Sequence, residues 1–596
     1  MKIHAIDMAI IFIYLLSTVS IGIMLKRRAA KNLDSYFLGG KTLPWYVLGI
    51  SNASGMFDIT GTMWLVYLLF VYGLKSIWIP WLWPVFNQVF LMVYLSAWLR
   101  RSNVLTGAEW ITLRFGKERG ANLSHISVVV FALVSVVGFL AYAFQGIGKF
   151  SAVFLPWDLH PNIYALIFMG ITTFYVVMGG MLSVVLTEII QFTVMTVASI
   201  IVGIIAMNRV SPDMLAKVIP DGWKNVFFGW HLNLDWSGIM HAVNTRIADD
   251  GWELFSIFFM MVLFKGILIS IAGPAPNYDM QRVLATRSPK EAAKMSGMVS
   301  VALFFPRFMM IAGLVVLALV FFSPQLNAMG QNIDFEMILP LAINNFVPVG
   351  LMGVLLAGLL AAFMSTFAAT VNAAPAYLVN DIYKRYINPN APDKRYIYMS
   401  YAASLCVVVV GIAFGFMTES INSVTQWIVN GLWGGYTAAN LLKWYWWRLN
   451  GYGYFWGMAV GILMALGFPK VFPDISALHS FPFILAGSAL ACVIGSLLTK
   501  PDSFDVLKKF YMQTRPWGFW KPIEQKVMAE HPDFQKNTNF KRDMFNVAIG
   551  IIWQTSLVVL PIYIVIKEKL PMIVTIGILF ITSLLLREFW YKRLED

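Results

Sequence analysis

The chain has 596 residues, 59% hydrophobic and only 13% charged, with a formal net charge of +13. Soluble proteins average about 45–50% apolar and about 25% charged residues, so this composition, with a mean hydropathy of +0.69, excludes a soluble domain and indicates a polytopic membrane protein. No basic run alternates with exposed aromatics as nucleic-acid binding requires, and two cysteines inside apolar runs, Cys406 and Cys492, read as buried and reduced and give no disulfide framework or thiolate metal site.

Apolar runs of about 18 residues or more mark spans. Fifteen are read, near 5–25, 45–73, 78–98, 122–147, 162–179, 183–207, 252–275, 293–322, 348–378, 397–417, 422–446, 453–470, 480–498, 543–566 and 570–587. The first has no basic segment before it and outruns a signal-peptide core, so it reads as a span rather than a leader. Segments after odd-numbered spans are basic: KRRAAK, RRSNVLTGAEWITLRFGKER, RVLATRSPKEAAK, KRYINPNAPDKR, the stretch 499–542 and the terminal LREFWYKRLED. The alternate connections, such as PWDLHPN and the Trp-containing 208–251, are weakly basic or neutral. The positive-inside rule then predicts the N-terminus outside and the C-terminus inside, in the plasma (cytoplasmic) membrane. The stretch 499–542, with FYMQTRPWGFWK, reads as an amphipathic segment lying on the membrane surface or as a regulatory docking site.

Span two carries SNASGMFDITG, residues 51–61, and span seven ends in IAGPAPNYD, residues 271–279. Backbone that leaves helical form at membrane depth must line a cavity or be packed in protein. Matched breaks in two halves are the signature of inverted-repeat transporters. These breaks open two successive sets of five spans, and an odd set size inverts the second relative to the first. The predicted fold is therefore an all-α polytopic five-plus-five inverted repeat with one N-terminal and about four C-terminal extra helices. The boundaries are 1–44 (extra helix and lead-in), 45–210 (first repeat), 211–251 (external loop), 252–450 (second repeat), 451–498 (C-terminal helices), 499–542 (basic and aromatic segment) and 543–596 (last two helices and tail).

Ionisable side chains inside the bilayer are costly and usually paired or functional. Four stand out: Asp58 in the first break, Glu188 in GGMLSVVLTEIIQ, Lys265 in FMMVLFKGILIS and Arg307 after Pro306. An Asp58–Lys265 ion pair is one reading; a cation or substrate ammonium on Asp58, or a substrate carboxylate on Lys265, is the other. Glu188 and Arg307 read as structural or gating residues. Span nine contains LLAAFMSTFAATVN, with adjacent hydroxyls on Ser365 and Thr366 and Ala362 one turn earlier. Such hydroxyls serve as hard-cation ligands beside carbonyls freed at a break, or they bond back to their own helix. WIPWLWPVF, residues 78–86, reads as an interfacial aromatic belt or a lid.

DSYFLGGKTLPWY, LTGAEWITLRFG, GGMLSVVLTEIIQ, YDMQRVLATRSPKEAAK, AAFMSTFAATVNAAPAYLVNDIY and LKWYWWRLNGYGYFWG, in this order over about residues 5–470, resemble signatures of the sodium:solute symporter family, which includes sodium–glucose cotransporters and bacterial proline permease. The resemblance implies a leucine-transporter-like fold, sodium as coupling ion and alternating-access symport of a small polar solute, with no obligate protein partner and no enzymatic step. It implies a sodium site built from carbonyls of Ser54 and Phe57 in the first broken helix, the Ala362 carbonyl, and the Ser365 and Thr366 hydroxyls. A shifted register would replace the first two carbonyls by those of Met56 and Ile59. Positions where some members bind a second sodium are Ala368 and Ala369 here, and the family's Asp is Glu188. Where sugar transporters carry a Gln and an Asn-Gln pair, this chain has Gly61, Pro276 and Asn277. Candidate solute or second-cation residues are Asp58, Thr60, Thr62, Asn87, Gln88, Tyr142, Gln145, Lys265 and Asn277. Two rivals remain: proton coupling through Asp58 or Glu188, and a membrane-embedded enzyme. For the latter, the seven histidines (4, 125, 160, 231, 241, 479 and 531) cluster nowhere in the sequence.

Overall fold

A computed structural model describes residues 3–29, 31–82, 87–227, 230–251, 255–274, 276, 278–330, 333, 335, 338, 342–343, 347–418, 433–472, 475 and 477–595. The principal helices are α1 (Ala5–Ala29), α2 (Trp45–Met56), α3 (Ile59–Tyr72), α4 (Gly107–Phe115), α5 (Arg119–Phe154) and α6 (Pro161–Arg209). They continue with α7 (Phe255–Ile271), α8 (Tyr278–Ala285), α9 (Pro289–Met329), α10 (Leu351–Ala376), α11 (Asp393–Phe416) and α12 (Trp433–Tyr445). The chain closes with α13 (Gly451–Val471), α14 (Ala477–Leu497), α15 (Phe540–Ile566) and α16 (Lys569–Phe589).

Eleven described helices are long and apolar enough to cross a bilayer. The fifteen-span reading exceeds that number for local reasons. Residues 162–179 and 183–207 join in α6, which turns at Gly180 (φ 53°, ψ −153°), a conformation that needs glycine. The 78–98 region is a 3₁₀ stretch, Gly73–Leu82, then a helix interrupted by a π turn, Leu91–Leu95. Around 252–275 the apolar helix is short, Phe259–Ile271, and much of 422–446 lies outside the described residues. Cys492 is buried as expected, but Cys406 is exposed, because α11 turns that face outward.

At the centre α2 lies against α6, α9 and α10, while α1 packs along α6 and α10. Asp7 of α1 caps the α10 N-terminus, accepting from the amides of Gly350 (2.8 Å) and Gly353 (2.7 Å). The C-terminal end of α3 is covered by the 208–251 connection. The buried indoles of Trp223 and Trp236 donate to the Phe70 and Val71 carbonyls, 3.1 and 3.2 Å away.

The basic connections meet one another at one end of the bundle. Arg100 donates to the Thr286 carbonyl, Arg385 to Thr112 and Asn122, and Gln513 to the Arg101 and Ser102 carbonyls. Here the 499–542 stretch departs from a membrane-surface helix: Phe510 and Trp520 are buried in the protein. They cover Arg114, whose guanidinium donates to the carbonyls of Lys443, Trp446, Trp447 and Leu449 at 3.0–3.4 Å and lies 4.9 Å from the Trp520 ring. Trp520 in turn donates to the Trp444 carbonyl at 2.9 Å. Arginine's planar fork suits this set of acceptors in a way a lysine cannot match.

Asp502 sits 3.7 Å from Arg114, beyond hydrogen-bond distance. Burial therefore outweighs the attraction of Arg114 and raises its carboxyl to about 7. Once undocked, Asp502 returns to about 3.9. The docked state thus holds an extra proton between these values. Its stabilisation is complete below the lower value and is lost as pH rises through the upper one. Limited proteolysis within 499–542 is expected to be several-fold faster at pH 8 than at pH 6, and Asp502→Asn to flatten the difference.

Candidate functional site

The first broken helix changes direction at Phe57 and Asp58 (ψ 65° and 152°). Asp58 caps α3, accepting from the Gly61 amide at 2.6 Å. A Cβ on Gly61 would lie 2.6 Å from Asp58 Oδ1 and 3.0 Å from the Arg307 guanidinium, so glycine is needed for this close approach. Tyr142 donates to Asp58 Oδ2 at 2.8 Å. Arg307 spans the interruption, with one nitrogen 2.9 Å from the Met56 carbonyl and the other 3.1 Å from Asp58 Oδ1. Its guanidinium also faces the Phe57 ring, 5.5 Å from the centroid.

One turn earlier, α2 meets α10. The Thr366 hydroxyl donates to the Gly55 carbonyl at 2.7 Å and lies 3.3 Å from the Ala362 carbonyl. Ser365 donates to the Ser54 hydroxyl at 2.9 Å and lies 3.2 Å from Glu188 Oε1. Glu188 is fully buried, with Arg282 against Oε1 and the Ser51 hydroxyl against Oε2; Arg282 Nε also donates to Ser51 at 3.0 Å. The pair joins α6 to α8, just beyond the second break. In that break, Trp444, Tyr445 and Tyr436 of α12 donate to the carbonyls of Ala272, Ile271 and Pro274 at 3.2, 3.0 and 3.2 Å. Both interruptions thus have internal partners, as membrane depth demands.

The structure brings together Ser54, Ala362, Ser365, Thr366 and Glu188 in one cluster, with Phe57, Asp58, Tyr142 and Arg307 beside it. Gln88 stands near the break, 3.6 Å from the Met56 sulfur. Thr62 donates to the Asp58 carbonyl at 2.6 Å, and Thr60 fills the space against Gly146. Gln145 turns away from the break to the Gly415 and Thr418 carbonyls, at 3.0 and 2.7 Å. Lys265 is buried near the Phe481 ring, 5.5 Å from its centroid, and the anticipated Asp58–Lys265 pair is replaced by Asp58–Arg307. The Asn87 side chain and Asn277 lie outside the described residues. Among the described residues no group of three or more His, Cys, Asp or Glu side chains could hold a metal ion. Sequence reading passed over Arg282, which stood within a basic loop, and the Gly55 carbonyl, which no side-chain pattern signals.

The model of the sodium:solute symporter family matches residues 36–461. Sodium/glucose cotransporter 4 of Danio rerio is 23% identical over 573 residues, covering 89% of this chain and 83% of that protein. The sodium/proline symporter of Haemophilus influenzae is 24% identical over 531 residues, covering 84% and 95%. A solved structure, the substrate-bound outward-open state of a Na+-coupled sialic acid symporter, shares the fold with a TM-score of 0.63. It is 18% identical and covers 84% of this chain and 99% of that one. The chain belongs to the sodium:solute symporter family. It is a multi-pass membrane transporter, not an enzyme, and its transport is coupled to sodium.

Removing one member of a buried ion pair costs about 3–5 kcal/mol, because the other charge is left uncompensated. Glu188→Gln is expected to lower stability by about that amount. Glu188→Gln with Arg282→Met together are expected to cost less than Glu188→Gln alone, as read by thermal unfolding of the purified protein in detergent.

Proposed function

We propose that the protein imports a small polar organic solute with sodium. Sodium binds between the carbonyls of Ser54, Phe57 and Ala362 and the hydroxyls of Ser365 and Thr366. The observation that carries this reading is the direct bridge between the broken helix and α10, Thr366 to the Gly55 carbonyl at 2.7 Å and Ser365 to Ser54 at 2.9 Å. An entering ion exchanges these hydrogen bonds for ion–oxygen contacts and holds the two elements together. In the shifted register the Met56 carbonyl accepts from the Arg307 guanidinium, while in the preferred one the Ser54 carbonyl accepts from the neutral Phe57 amide at 3.1 Å.

The proposed architecture is the five-plus-five inverted repeat with about fifteen spans, N-terminus outside. A single sodium suits the site: Ala368 and Ala369 offer no hydroxyls, and Glu188 faces Arg282. Proton coupling through Asp58 or Glu188 gains no support, as each carboxylate is engaged by a guanidinium. The same engagement turns Asp58 away from a role as second-cation ligand. Relatives named for glucose and for proline leave the solute within the class of small polar molecules. Gln88 and Tyr142, beside the break, are the proposed solute-facing groups, whereas the Thr60 hydroxyl packs against Gly146. Each charge moved inward gains about 2.3 kcal/mol per 100 mV of membrane potential.

Ser365→Ala with Thr366→Ala is expected to raise the sodium concentration for half-maximal uptake at least tenfold in proteoliposomes at clamped pH. Uptake with unchanged sodium dependence would refute the site. Thermal-shift screening of sugars, amino acids and organic acids, with and without sodium, identifies the solute first.

A further inference from the structure

At the basic end of the bundle, away from the transport site, four segments enclose a cavity of about 210 Å³. They are the end of the 87–101 helix, the turn at Arg515 with residues 535–539, the first turns of α15, and the tail after α16. Five cationic side chains line it, Arg101, Arg515, Lys536, Arg542 and Arg593, against two carboxylates, Asp543 and Glu595.

The carboxylates are spent locally. Arg542 takes Asp543 at 3.5 Å and approaches Glu595 at 3.9 Å, while Trp517 donates to Asp543 at 3.0 Å. Lys536 pairs with Glu524 at 2.8 Å. Among the described residues, the Arg101 and Arg515 guanidiniums have no carboxylate within ion-pair distance. Arg101 is half-buried, and among the charges acting on it the like charge of Arg515 comes ahead of the opposing Glu595 and Asp543, both of which Arg542 also engages. Holding two such groups together is unfavourable unless an anion joins them. Arg515 is the left-handed C-cap (φ 50°) that ends the helix Phe504–Thr514, which fixes where its side chain leaves the backbone. The Asn537 amide fixes it there, donating to the Arg515 carbonyl at 2.9 Å. The tail is held in place by the Trp590 indole, 2.9 Å from the Met92 carbonyl.

We propose that this cavity binds a phosphate group, clamped by Arg101 and Arg515. Arginine's fork matches phosphate oxygens in a bidentate way. The volume lies below the roughly 300–1,000 Å³ of pockets that bury drug-sized ligands, so a headgroup-sized anion is the fit. Basic pockets beside spans also take anionic lipid headgroups. The chemistry is shared by inorganic phosphate and by a phosphodiester lipid.

The test uses the full chain in two arms. Inorganic phosphate is titrated against the detergent-purified protein by calorimetry. In parallel, phosphatidylglycerol retention from mixed nanodiscs is measured by native mass spectrometry against phosphatidylcholine. Phosphate binding alone assigns the free anion, and selective phosphatidylglycerol retention assigns the lipid headgroup. Either is expected to weaken at least tenfold in the Arg101→Gln, Arg515→Gln double variant and to fall with ionic strength. Lys508→Gln, outside the cavity, is expected to change nothing. Should the double variant not fold, Lys536→Gln with Arg593→Gln replaces it, with at least a threefold loss expected. The proposal is overturned if neither ligand binds above the phosphatidylcholine control, or if the cavity variant that folds binds within twofold of the parent.

Discussion

A helix interrupted at membrane depth must find partners for the peptide groups it releases, and here one guanidinium meets that need. Arg307 reaches the last carbonyl of α2 and the capping carboxylate of α3 at once. It comes from α9, which packs against α2. The direction of both half-helices at the break therefore depends on a side chain contributed from α9, distant in the chain. Gly61 makes room for that ion pair, and Tyr142 adds a second donor from α5. Truncating any of these groups would leave buried polar atoms without partners, which in hydrocarbon is far costlier than in water.

The two interruptions are solved by different chemistry. The first uses charge: Asp58, Arg307 and, one turn away, Glu188 with Arg282. The second uses neutral donors, an indole and two phenols from α12, on the carbonyls of residues 271, 272 and 274. Neutral donors hold a backbone with less desolvation than charges do. The carbonyls of the second interruption are thus held by neutral donors, while those of the first lie beside a guanidinium and a carboxylate.

Much of this was legible in the sequence. Composition and apolar run length indicate a membrane bundle, and the glycines and prolines at 51–61 and 271–279 locate both interruptions. The Ser365–Thr366 pair and the register of α2 point to the hydroxyl cluster. Pairing was not legible. Asp58 had two buried cations to choose from, and helix rotation, which span length does not encode, selected Arg307 over Lys265. Arg282 looked like one more charge in a basic connection until α8 turned it inward to Glu188. The irregular backbone at Gly180 and at the π turn Leu91–Leu95 was not legible either, because hydropathy registers composition and not conformation. The aromatic residues of 499–542 read as interfacial because burial against protein and burial against lipid select the same side chains.

Arg114 holds four carbonyls at the end of α12, while Gln513 and Trp520 tie 499–542 to both the 101–102 turn and α12. The ends of the 87–101 helix, α4 and α12 are thereby riveted into one rigid plate. Alternating access requires parts of the bundle to rock against one another. In an alternating-access cycle with this plate intact, α4 and α12 would travel as a single body, leaving the relative motion to joints such as Gly180 or the two interruptions. A segment outside the transport core would then set which helices form the moving frame.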